Sequence, residues 1–172
     1  MSVLIFLDQA DGHIRKASLE AASYGAAIAS QTGTTAEAIV LGTVTDDLAE
    51  LGKYGISKIH TVSNATLNQL DAQVYTKIIA EAVKTSGATV IVFSNNFTGK
   101  AIAPRLSVRL KAGLITGAVA LPDTSNGFIV KKNVFSGKAF ANVSINTAVK
   151  IISLNPNSYS ITITEGVAAV AE

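Results

Sequence analysis

The chain has 172 residues with 14 Lys+Arg against 12 Asp+Glu, so its net charge is +2, and it contains no cysteine. That length suits one substantial core, and the lack of cysteine excludes a disulfide framework, thiolate chemistry and Cys-based metal sites. Hydrophobic residues make up 48% and charged residues 15% of the chain, below the usual quarter for charge. This balance points to a tightly covered core and some surface hidden by a partner. The basic residues form no dense run, Arg15-Lys16 and Lys131-Lys132 being the two adjacent pairs, so no phosphate-tracking face for nucleic acid is expected. Mean hydropathy is positive, yet no stretch reaches the 18 or so apolar residues of a membrane span. MSVLIFLDQADG lacks the basic start of a signal peptide, so the expected compartment is cytoplasmic.

Val3 to Leu7 is a continuous apolar run, the pattern of a strand buried on both faces. Asp8 to Gly12 supplies turn residues. Ile14, Ala17, Ala21, Tyr24 and Ile28 recur at helical spacing up to a cap at Gly33, and the alanine-rich face predicts a helix close to its sheet. Ala36 to Leu41 is a further strand. Asp46-Asp47 then lead into a short helix over Leu48 to Tyr54, where two carboxylates favour the positive end of the helix dipole. Ile56 to Val62 alternates like a half-exposed strand. His60 on it, and His13 in the turn after the first strand, have no ligand at metal spacing and read as surface or internally satisfied histidines. Paired apolar residues from Ala72 onwards give an amphipathic helix closed by Gly87. Ala88 to Phe93 is a second doubly buried strand, broken at Ser94-Asn95-Asn96, and a helix follows up to Gly113.

This β-α alternation predicts an α/β fold: a Rossmann-like three-layer domain with a mostly parallel sheet. After Gly113 the runs Leu114 to Leu121, Phe128 to Phe135, Ala139 to Ile145 and Val149 to Leu154 are separated by turn signals with no room for helices. They are expected to be antiparallel hairpin or meander strands, with one more short strand at Ile161 and Ile163. Residues 1–164 are thus expected to form a single domain, 1–113 as βα repeats and 114–164 as antiparallel strands. Residues 165–172 are expected to be a tail or linker with nothing to pack against.

No catalytic signature stands out. The turn after the first strand reads DQADGH rather than Gly-x-Gly-x-x-Gly, the phosphate-loop motif is incomplete at Asn96 to Lys100, and no Gly-x-Ser-x-Gly elbow occurs. With two isolated histidines a triad has few bases. A hydrolase or transferase therefore has no visible nucleophile and base. The helix start at Asn95, Asn96, Thr98, Gly99 and Lys100 offers free backbone N–H groups to an anion, or is simply capped by Asn96 or Thr98. Pro104 kinks a helix beginning that early and is tolerated in one beginning later. Arg105 and Arg109 share a helix face, free in solvent or paired across to a partner subunit.

The segment NNFTGKAIAPRLSVRLKAGLITGAVAL resembles the signature of the amino-terminal domain of the electron transfer flavoprotein alpha subunit, with Gly99, Pro104, Arg105, Leu106, Leu110, Gly113, Thr116 and Gly117 matching. Asp11-Gly12 with Ser18-Leu19-Glu20 resembles the family's first βα unit. Val40-Leu41-Gly42 followed by LAELGKYGISKIHTV resembles the second, and VFSGKAFANVSI resembles its strand pair through Gly137, Ala141 and Val143. The chain departs from the pattern in lacking an Arg-Pro before that pair and in reading KIISLN where Thr-x-Arg is common. The resemblance implies a heterodimer with a beta subunit that carries one FAD. Such a carrier takes electrons from dehydrogenases such as acyl-CoA dehydrogenases and passes them to a quinone-reductase-type acceptor, without catalysis or membrane insertion of its own. It also implies that FAD binds mainly to a second, carboxy-terminal domain whose motifs do not occur here, so that none is expected on this chain alone. The alternative is a stand-alone adenine-nucleotide module using the carboxyl edge of the sheet around Asp8, Gly42 and Asn95, since the family's related beta domain binds AMP.

Overall fold

The structure is a computed structural model that describes residues 2–172. Its elements follow in chain order as β1 (Ser2–Leu7), β2 (Gln9–Ala10), β3 (His13–Ile14), α1 (Lys16–Thr32), β4 (Thr35–Leu41), β5 (Lys58–Val62), α2 (Ala72–Ser86), β6 (Ala88–Ser94), α3 (Phe97–Leu110), β7 (Gly113–Ala118), β8 (Ile129–Val134), β9 (Ala139–Ser144), β10 (Lys150–Leu154) and β11 (Ala169–Ala171). Among the described residues nine strands form one sheet, in the order β11-β5-β4-β1-β6-β10-β7-β8-β9, and β2 pairs with β3 as a small ribbon. Every pairing from β11 to β7 is parallel, while β7-β8 and β8-β9 are antiparallel. The α/β expectation with its mostly parallel sheet therefore describes the molecule.

The two apolar runs sit side by side at the centre, β1 parallel to β6, and all six residues of β1 are buried. Alternation divides their side chains between two cores. Val3, Ile5, Leu7, Val90 and Val92 pack with Tyr24 and Ile28 of α1. Leu4, Phe6, Ile91 and Phe93 pack with Ile79 of α2 and with Ile102 and Leu106 of α3. Full burial of each such side chain stabilises by about 1.5–3 kcal/mol. Helices are thus required on both faces, which fixes the three layers. The small-residue face of α1 lets it approach closely: a Cβ on Gly25 would lie 2.4 Å from Ile5 Cγ1. On the other face Phe6 packs tilted against Phe93 at 5.6 Å and edge-on to Tyr75 at 6.2 Å.

Five expectations change. The 114–164 region is not all antiparallel: β10 inserts between β6 and β7 and runs parallel to both. The antiparallel excursion through β8 and β9 carries the chain away and returns it to the gap between those strands. A long connection of that kind can join parallel strands, and turn signals alone do not reveal it. Ile161 and Ile163 form no strand. Their segment lies along α1 instead, with Thr162 N–H donating to Ser23 Oγ at 3.1 Å. Residues 165–172 are not a loose tail, since β11 extends the sheet beside β5, Ala168 is buried, and the Ala168 and Ala169 N–H groups donate to Ala49 and Ser57 carbonyls. The segment over Leu48 to Tyr54 is a 3-10 helix, and the expected helix end at Gly113 falls earlier. Lys111 takes the left-handed cap at φ 51°, and Gly113 starts β7.

Gly52 makes the docking of that last segment testable, because a Cβ there would lie 2.4 Å from Ala168 N. Gly52→Ala is expected to lower stability by about 1–3 kcal/mol and to open residues 166–171 to cleavage before the rest unfolds. Limited proteolysis beside a thermal melt checks this; a protected segment in the variant would contradict it.

Candidate functional site

The carboxyl ends of β1, β6 and β10 converge where an open α/β sheet ordinarily meets its ligand, and the chain's own polar groups fill this edge. Asp8 follows β1 and is buried. Its carboxylate accepts from Asn96 Nδ2 at 2.8 Å and lies 3.3 Å from Arg15 Nε. Its backbone is clamped by Ser18, whose Oγ accepts from Asp8 N–H at 2.8 Å and donates to Asp8 carbonyl at 3.1 Å. Burial pushes the Asp8 carboxyl above its ordinary value, while hydrogen bonds from Thr98 and Asn96 and the Arg15 charge pull the other way.

Asn96 has two roles. Its Oδ1 accepts from Gly99 N–H at 2.8 Å as the cap of α3, and its Nδ2 holds Asp8. Thr98 is therefore not the cap. A carboxylate of the chain itself thus stands against the start of α3, where free N–H groups attract negative charge. Gly99 lets the helix meet the strand it follows, since a Cβ there would lie 2.0 Å from Ser94 O. Asn95 ties β6 to β10: its N–H donates to Leu154 carbonyl at 2.7 Å and its Nδ2 donates to Asn155 Oδ1 at 2.7 Å. Asn95 Oδ1 is buried without a partner. At the end of β4, Gly42 holds φ 92°, and Asn68 Oδ1 beside it accepts from Thr43 N–H at 2.8 Å.

The remaining candidates lie elsewhere. The Lys100 side chain points out from α3 and is exposed. Pro104 lies inside the helix. Arg105 and Arg109 face α2 and line a cleft of about 270 Å³ with Gln73, Thr76 and Lys77. Asp47 caps its 3-10 helix through Ala49 N–H, whereas Asp46 is drawn away to His13 Nδ1 and Ile14 N–H, both at 2.7 Å. His60 is paired with Glu37 at 2.6 Å. Among the described residues no group of His, Asp and Glu could hold a metal ion, and no helix is long and apolar enough to cross a membrane. Sequence reasoning missed a cleft of about 550 Å³ between α1 and residues 159–164, lined by small and hydroxyl side chains with Tyr54 and Tyr159. No periodic signal marks it, because its walls come from residues 23–57 and 159–164, far apart in the chain.

Asp8 gives a pH test. Its folded value is raised above the unfolded 3.8, so the stability it contributes is full below 3.8 and is lost as pH rises through the folded value. Asp46, held below 3.8 by His13 and the Ile14 N–H, has the opposite sign and loses its contribution on acidification. Denaturant melts of wild type and Asp8→Asn from about pH 3 to about pH 7 should show the variant relatively more stable as pH rises. A difference that does not change with pH would refute the assignment.

An electron transfer flavoprotein domain model matches residues 3–172. The electron transfer flavoprotein subunit alpha of Syntrophomonas wolfei is 27% identical over 98% of this chain and 52% of its own length. The subunit of the same name from Bacillus subtilis is 26% identical over 91% of this chain and 48% of its own. The acryloyl-CoA reductase electron transfer subunit beta of Anaerotignum propionicum is 26% identical over 74% of this chain and 35% of its own. The chain spans about half the length of the first two relatives.

Proposed function

Because the chain belongs to the electron transfer flavoprotein domain family, we propose that it is the amino-terminal scaffold and subunit-docking domain of an alpha-type subunit in a two-subunit electron carrier. The assembly would hold FAD, receive electrons from dehydrogenases of the acyl-CoA class and hand them to a quinone-reductase-type acceptor. This domain contributes shape and contacts rather than catalysis. Relatives that it matches along most of its length carry names of electron transfer subunits, which supports a carrier over an enzyme.

The observation that carries the scaffold reading is the carboxylate of Asp8 against the start of α3. A dinucleotide such as FAD needs a glycine-rich turn and an open helix N-terminus for its pyrophosphate. Here the first turn is a β2-β3 ribbon, and the α3 start faces an internal anion, so the residues of this edge do not fit that group. The expected result is that the purified chain is colourless, and that it co-purifies with a beta-type subunit once the carboxy-terminal half found in its longer relatives is joined to it. Near-stoichiometric flavin absorbance on the chain alone would overturn the reading.

A second reading is supported by the unpartnered, buried Asn95 Oδ1 on the same edge as Gly42. An adenine-nucleotide module would be stabilised in a thermal melt by AMP or ATP but not by flavins.

A further inference from the structure

A helix packed on a sheet buries one face and offers solvent a polar one. The helix α3 breaks this rule. Gly99, Ile102, Ala103 and Leu106 make its buried face. At 100° per residue, Phe97, Ala101, Pro104 and Val108 fall within about 60° of one another on the opposite side. Phe97 and Val108 are each 82% exposed, the largest values among the exposed large hydrophobic side chains described. They stand about 16 Å apart along the axis, with the smaller Ala101 and flat Pro104 between them. The outward row is therefore two apolar ridges with a shallow groove between.

Cations border the row on both sides. Arg105 and Arg109 run along the flank facing α2, where Lys77 joins them at the cleft, Lys100 lies along the other flank, and Lys111 caps the helix end. Among the described residues none of these five makes an ion pair. The α3 sequence contains no acidic residue. Glu81 of α2 is taken up by Lys84 at 2.7 Å, which lowers its carboxyl, with the Arg109 charge adding least to that shift. Cations left free along an apolar row attract a partner whose own apolar row is edged by carboxylates.

We propose that the outer face of α3 is a docking surface for an acidic amphipathic helix of another polypeptide. Phe97 and Val108 clasp its apolar ridge, and Lys100, Arg105, Arg109 and Lys111 pair with its flanking Asp and Glu. A groove between two ridges is the shape that takes a helix. A bilayer offers no matching ridge, and α3, held to the sheet by its buried face, cannot turn its row deeper into lipid. This surface stands on α3 alone and does not require the two-subunit reading above.

The test uses the full chain and a fluorescent synthetic helix of about 15 residues with a leucine row edged by glutamates. A second peptide carries lysines in place of the glutamates, and phosphatidylglycerol vesicles form a third arm. The glutamate-edged peptide should bind with micromolar affinity, and raising the salt should weaken it. Phe97→Ser with Val108→Ser should weaken it at least about tenfold, whereas Phe140→Ser on the β8-β9 hairpin should leave it unchanged. Both α3 side chains are exposed, so circular dichroism and the melting temperature should stay at wild-type values. Arg105→Glu with Arg109→Glu should shift the preference toward the lysine-edged peptide, an outcome that general loss of folding cannot produce. Equal binding of the two peptides by wild type, binding of neither, or capture by vesicles without peptide binding would each overturn the proposal.

Discussion

The burial of β1 and β6 on both faces is the constraint from which the rest of the structure follows. Two adjacent parallel strands of Val, Leu, Ile and Phe expose apolar side chains above and below the sheet, and neither set can remain in water. α1 must cover one side, and α2 with α3 the other. Small residues set how near the helices come: Gly25 allows Ile5 beneath α1, and Gly99 allows the start of α3 to press on the end of β6. Because the strand ends and helix starts are brought so close, their polar groups must satisfy one another. Asp8, Asn96 and Asn95 do this with bonds of 2.7–2.8 Å.

That closeness changes the meaning of the edge. In many layered α/β folds the carboxyl ends leave a crevice that a ligand completes. Here an acid just past the first strand supplies the negative charge that the helix start favours, and an asparagine amide both caps the helix and holds the acid. The balance between burial, which disfavours the charged carboxyl, and Arg15, Asn96 and Thr98, which favour it, makes Asp8 part of the architecture. The outward side of the same helix has the reverse character, with apolar and cationic groups left unmatched. One helix thus closes an internal site and offers an external one.

Much of this was legible in the residues. Continuous apolar runs marked the doubly buried strands, three- and four-residue spacing marked α1 and α2, and Gly33 and Gly87 marked their ends. Periodicity reports how an element is buried but not which strand lies beside it, so the parallel insertion of β10 was hidden behind the turn signals around it. Three residues, as in β11, are too few for any period to register. The partnership of Asp8 with Asn96 spans 88 positions, and no local pattern encodes it. The candidate residues Asn95 to Lys100 were identifiable as a helix start. What faces that start depends on the tertiary fold.

The late insertion of β10 has a consequence for how the chain reaches its native state. Until residues 150–154 arrive, β6 and β7 have no strand between them, and each presents an open row of backbone donors and acceptors in the middle of the future sheet. Most of the sequence must be available before that gap can close. Such distant pairing must meet its loop-closure cost before its contacts form and is associated with slow folding. The half-formed sheet meanwhile has two unprotected edges at which another chain can add a strand. The same strand that completes the core therefore also ends the interval in which the molecule is most exposed to association with its own copies.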